Sequence, residues 1–114
     1  MKSVTLIADY EVEDKPVQLS IVIGDAQVGV SVVKLGNKLL ASGEIKNLAL
    51  GGGPQLRGKA LFVKSAVTDV NDSTNHTSLT YRFRCGAQQR EFLSSATVDE
   101  EGGSVIYRTK FNLV

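Results

Sequence analysis

The sequence predicts an all-β domain: an antiparallel β-sandwich of two four-stranded sheets. Two observations carry the class. Apolar and polar residues alternate with the period of a strand in one stretch after another, and short Gly-, Asn- and Asp-rich turns separate those stretches at hairpin spacing. A third observation sets the division. Gly51-Gly52-Gly53-Pro54 breaks the strand series into equal halves, so residues 1–50 and 58–114 each read as a four-strand meander, with 51–57 as a Gly-rich crossover within a single domain. Each meander has one apolar face that needs cover, and two sheets face to face supply it. The alternative is one closed eight-stranded up-and-down barrel, because closure removes the edge strands.

Val4 to Val12 alternates, with Val4, Leu6, Ala8, Tyr10 and Val12 on one side, polar residues on the other, and Ile7 as the exception. The polar connection Glu13–Pro16 folds this strand onto the next, which pairs Tyr10 with Leu19 and Ala8 with Ile21. Val17 to Val32 reads as a hairpin turned at Gly24-Asp25, since glycine supplies the positive φ at the first central position of a type II′ turn. That register sets Leu19 against Val30 and Ile21 against Val28, so the whole face is apolar; a one-residue slip would scramble it. A turn at Gly36-Asn37 pairs Val32 with Ala41, and Glu44–Leu50 reads as a strand end or one helical turn.

In the second half, Gly58 to Asp69 places Leu61, Val63 and Val67 on one face, while Phe62 and Ala66 make the other partly apolar. Ser78 to Cys85 alternates strongly, with Leu79, Tyr81, Phe83 and Cys85 inward. A turn at Gly86–Gln89 pairs Phe83 with Phe92, and a loop at Glu100–Gly103 pairs Ala96 with Tyr107 and Phe92 with Phe111. Leu19 and Phe83, mid-strand on apolar faces, are expected in the core.

The 114 residues are enough for one real core. Lys and Arg number 13 against 12 Asp and Glu, a net charge of +1 spread evenly over both halves. Nucleic-acid binders concentrate positive charge, and so do proteins held at membrane surfaces by polybasic patches, so neither partner is expected. No apolar run approaches the roughly 20 residues that span a bilayer. The first residues show no apolar core of a signal peptide, which makes a cytosolic protein the expectation. Cys85 is the single cysteine, so no internal disulfide forms, and alternation makes it a buried structural thiol.

Two constellations stand out as candidate sites. On the outward face of the second meander, the expected registers surround Leu93 with Arg82, Arg84, Arg108 and Lys110, a docking face for an acidic protein partner or a second copy. Asp69, Asn71, Asp72 and Asp99 are hard-oxygen donors in two loops at one end of that meander, a composite Ca²⁺ site, although the spacing is not that of an EF-hand. His76 lies near Asp69, Asp72, Ser73 and Ser78, but this polar loop offers no oxyanion hole. The triple glycine lacks the Lys-Ser/Thr of a P-loop. No cofactor motif and no paired nucleophile and base occur, so the expectation is a non-catalytic interaction or assembly module, self-associating or bound to another protein. A small-ligand carrier with a barrel interior is the alternative, and a Ca²⁺-dependent binding module a further one.

Overall fold

The computed structural model describes residues 2–114. It has nine strands: β1 (Lys2–Tyr10), β2 (Pro16–Ile23), β3 (Val28–Leu35), β4 (Lys38–Gly43), β5 (Leu48–Gly52), β6 (Ala60–Thr68), β7 (His76–Cys85), β8 (Gln88–Thr97) and β9 (Ser104–Leu113). One helical turn, α1 (Gly53–Leu56), lies between β5 and β6. A five-stranded sheet runs β1-β9-β6-β3-β4 and a four-stranded sheet runs β5-β2-β7-β8. The fold is a β-sandwich, and neither sheet closes into a barrel.

The strands fall where alternation placed them, but their neighbours differ. Two connections are hairpins, β3–β4 and β7–β8; the other six cross from one sheet to the other. The expected meanders over 1–50 and 58–114 therefore do not form. β1 does not pair with β2 but lies parallel to β9, Tyr10 opposite Leu113. β8 and β9 lie in different sheets, which ends the expected pairing of Phe92 with Phe111. The 51–57 segment does cross between sheets, as the end of β5 followed by α1. Glu44–Leu50 leads into a ninth strand, and the carbonyl of Ile45 accepts the Ile21 amide at 3.0 Å.

The largest correction falls at Gly24-Asp25. The chain leaves the four-stranded sheet here and enters the five-stranded one, and positive φ occurs at Asp25 (59°) and Ala26 (55°) rather than at Gly24. Gly24 instead lies close against β7: a Cβ at residue 24 would displace the Ser78 hydroxyl. The crossing turns β3 over. Val28, Val30 and Val32, expected in the core, face outward; Ser31 and Val33 face inward. The inward face suits that role. Gly29 lets β3 approach the carbonyl of Ala66, and the Ser31 and Ser65 hydroxyls satisfy each other at 2.6 Å.

The two true hairpins differ from expectation in register. β7–β8 turns tightly at Gly86-Ala87, pairing Cys85 with Gln88 and Phe83 with Arg90. This is a shift of two residues, which keeps every side chain on its expected face. In β3–β4 a bulge between Val33 and Lys34 sets Val33 opposite Ala41.

One core fills the space between the sheets. Leu19 and Phe83 are both fully buried, as expected. Phe83 is its hub: Tyr10 stacks on it at 4.2 Å between centroids, and Phe111 meets it edge-on at 4.9 Å. Cys85 is buried, its thiol facing the carbonyls of Glu13 and Lys15. A filled core in an unclosed sandwich leaves no barrel interior for a carried ligand.

Burial pushes the phenol of Tyr81 up to about 12 from its ordinary 10.0. An unfolded tyrosine ionises near 10, while the folded one keeps its proton, so the folded state binds more protons between those values. Stability is therefore fully present below about pH 10 and declines as pH rises toward about 12. Denaturant midpoints should fall between about pH 9 and about pH 11.5, and fall less in Tyr81→Phe. An equal fall in both proteins would contradict this burial.

Candidate functional site

The expected ring of cations around Leu93 does not form. β7 and β8 belong to the four-stranded sheet and β9 to the five-stranded one. Arg82, Arg84 and Leu93 lie on the outer face of the former, Arg108 and Lys110 on the outer face of the latter, and the core separates them. Arg82 instead faces Glu91 and binds it at 2.6 Å. Arg84 donates to Gln89 at 3.3 Å. On this face Arg82 is paired with an opposite charge and Arg84 has only a neutral acceptor.

The expected Ca²⁺ site does not form either. Asp69 is buried; its Oδ1 accepts the Asn71 amide at 3.2 Å, and its Oδ2 has no partner among the described residues. The Asn71 side chain is committed to the loop, accepting from the Ser73 amide and donating to the Asp25 carbonyl, each at 2.9 Å. Asp72 is exposed beside Glu101, whereas Asp99 is 95% exposed and 3.9 Å from Lys2. Among the described residues, no three His, Cys, Asp or Glu side chains group at metal-ligand spacing. His76 forms no triad: Ser78 donates to Asp25 at 2.8 Å, and His76 reaches the same carboxylate only at 3.9 Å.

The outer face of the five-stranded sheet is different. Five large apolar residues are exposed on it: Ile7, Val28, Val30, Leu39 and Phe62. Register builds it in rows across the strands. One row runs Ile7, Lys110, Phe62, Lys34, Leu39, and the next Thr5, Arg108, Lys64, Val32, Ser42. Phe62 thus has Lys110 and Lys34 beside it and Lys64 and Arg108 in the adjoining row. Lys110 Nζ lies 6.0 Å from the Phe62 ring centroid. Here four cations surround an aromatic residue, on the opposite side of the molecule from Leu93.

A groove of about 400 Å³ opens on this face among Ile7, Phe62, Lys34, Lys64, Arg108 and Lys110. Leu6, Val63 and Thr109, whose side chains point toward the core, contribute to its lining, so its floor is the backbone of the sheet. None of the four cations forms an ion pair among the described residues. Arg108 stands directly opposite Lys64, an unfavourable like-charge pair. Asp9, one row away, takes a hydrogen bond from Asn112 at 3.0 Å. The face offers both apolar area and unanswered positive charge.

Sequence reading named Arg108 and Lys110 but missed Lys34, Lys64 and Phe62. The signal was present as broken alternation: Ile7 and Phe62 are apolar residues on otherwise polar faces. Val28 and Val30 gave no such signal, because their row looked like core.

Lys64→Gln should stabilise the free protein by about 0.2–1 kcal/mol at low salt, since it removes a directly opposed like charge, with the gain shrinking in high salt. Denaturant melts at two ionic strengths check this. A loss of stability at low salt would show that Lys64 is compensated. No helix among the described residues is long and apolar enough to cross a membrane. Compared with known proteins, the chain matches no protein-family model, no curated protein and no solved structure.

Proposed function

We propose that this protein is a non-catalytic interaction module that docks an acidic, partly apolar protein surface on the outer face of its five-stranded sheet. The observation that carries the reading is the groove at Phe62. Exposed apolar residues grouped on one face favour association. Four cations without an ion-pair partner among the described residues add selectivity for an acidic surface and speed its approach. The free protein keeps a repulsive pair, Lys64 and Arg108, that an incoming carboxylate would relieve. A cytosolic setting agrees with a lone, buried thiol.

A synthetic peptide with a Leu or Phe between glutamates is a suitable probe. Titrated into the labelled protein at low salt, it should shift backbone amide NMR signals of β1, β9, β6 and β3 around the groove. The double variant Lys64→Glu with Arg108→Glu should bind about tenfold or more weakly, and salt should weaken the wild-type interaction. Shifts centred on Leu93, or none near Phe62, would defeat the reading.

A further inference from the structure

The opposite charge sits at one end of the same molecule. Asp25, Asp69, Asp72, Asp99, Glu100 and Glu101, half of the 12 carboxylates, lie in three loops at the end where β6 leaves and β9 begins. Hydrogen bonds hold these loops together. Asn71 Nδ2 donates to the Asp25 carbonyl at 2.9 Å, and the Asp69 amide donates to the Gly103 carbonyl at 2.9 Å. The buried Gln27 side chain accepts the amides of Val70 and Asn71 at 2.7 and 3.0 Å and donates to the His76 carbonyl at 3.0 Å. That fixes Val70, which is 50% exposed, among the carboxylates.

The charge at this end is only weakly compensated. Among the described residues, only Lys2 and His76 come within ion-pair distance of these carboxylates, each at 3.9 Å. Asp72 and Glu101 crowd each other: a shared hydrogen bond and the charge of Asp72 push the Glu101 carboxyl upward.

Neither patch can neutralise the other within one molecule. From Lys64 to Asp69 along one strand is about 16 Å at roughly 3.3 Å per residue, twice the screening length of about 8 Å at physiological salt. Between two molecules the match is direct. The loop end carries an exposed apolar residue, Val70, between carboxylates, and the groove carries the apolar side chains of Ile7 and Phe62 between cations.

Resting on the docking-face reading above, we propose that the groove's occupant is the acidic loop end of a second copy of this chain. Val70 of one molecule enters beside Phe62 of the next, and Asp72 and Glu101 meet Lys64 and Arg108. The groove is sunk to the sheet backbone, so a protruding loop reaches its floor while a flat lipid surface does not. The two surfaces differ, so the contact is head to tail and leaves a free groove at one end and a free loop at the other. Assembly therefore extends with concentration instead of stopping at a symmetric dimer.

Light scattering coupled to size exclusion tests this. At low salt the wild-type mass should rise with concentration above that of one chain, and fall back in high salt. Lys64→Gln with Arg108→Gln removes the charge of the groove; Asp72→Asn with Glu101→Gln removes that of the loop end. Each variant alone, its fold verified by circular dichroism, should run as a monomer. Mixed, they should form a dimer of one of each and nothing larger, since one partner keeps only a loop and the other only a groove. A wild-type monomer at every concentration overturns the proposal. Continued assembly of the loop-end variant overturns it too, as does failure of the mixture to pair. If the acidic peptide still binds the wild-type groove in those cases, the docking-face reading stands and the occupant is a different protein.

Discussion

Two hydrogen bonds cross the centre of the sandwich in opposite directions. Tyr81 of β7 meets Thr109 of β9 at 2.7 Å, and Tyr107 of β9 meets Thr77 of β7. All four residues are buried. A tyrosine side chain is long enough to bridge much of the roughly 10 Å between packed sheets. Each hydroxyl gains a modest net stabilisation when paired and costs about 1–3 kcal/mol when buried alone. The consequence is positional. With six of eight connections passing between sheets, no continuous ladder joins them, and these bonds fix where β7 lies over β9. Once Tyr107 and Thr109 point inward, Arg108 and Lys110 must point outward from the five-stranded sheet. Once Tyr81 points inward, Arg82 must leave by the opposite face. The same pair of bonds that closes the core divides the cations between two surfaces.

The inversion of β3 supplies the other half of the docking face. Its inner side carries Gly29 and Ser31 ahead of Val33, which lets the strand approach β6 closely, and Val28, Val30 and Val32 are left outside. Burying Val28 and Val30 would have been the larger hydrophobic gain for the isolated strand. The fold instead keeps them beside Phe62 and Ile7 on a face with four cations. Local pattern and global fold conflict here, and such conflicts concentrate at functional surfaces.

Alternation along the sequence specifies faces, not neighbours. It placed Val4, Leu6, Ala8 and Tyr10 inward, and Leu79 through Cys85 inward, and both assignments match the burial of β1 and β7. It found the turns of both true hairpins, though not their registers. It failed wherever a polar connection was taken to be a hairpin turn, at residues 13–16, 24–25 and 100–103, because a sheet-to-sheet crossing uses the same residue types. The basic constellation inherited that error: Arg82, Arg84 and Leu93 were joined to Arg108 and Lys110 only through the false pairing of β8 with β9. The groove cations Lys34 and Lys64 were illegible for the same reason, since their nearness to β9 depends on long-range pairing of β3 and β6.

The claim that crossed Tyr–Thr bonds set the stacking of the sheets is tested most directly by a double-mutant cycle on Tyr81→Phe and Thr109→Val. Equilibrium unfolding of the wild type, both single variants and the double variant gives the coupling between the two groups. If the bond ties the sheets, each single change leaves a buried hydroxyl without its partner, and the coupling should be about 0.5–3 kcal/mol in favour of the intact pair. Strictly additive losses, with no coupling, would show that the hydroxyls are not joined in the core and that packing alone positions β7 over β9.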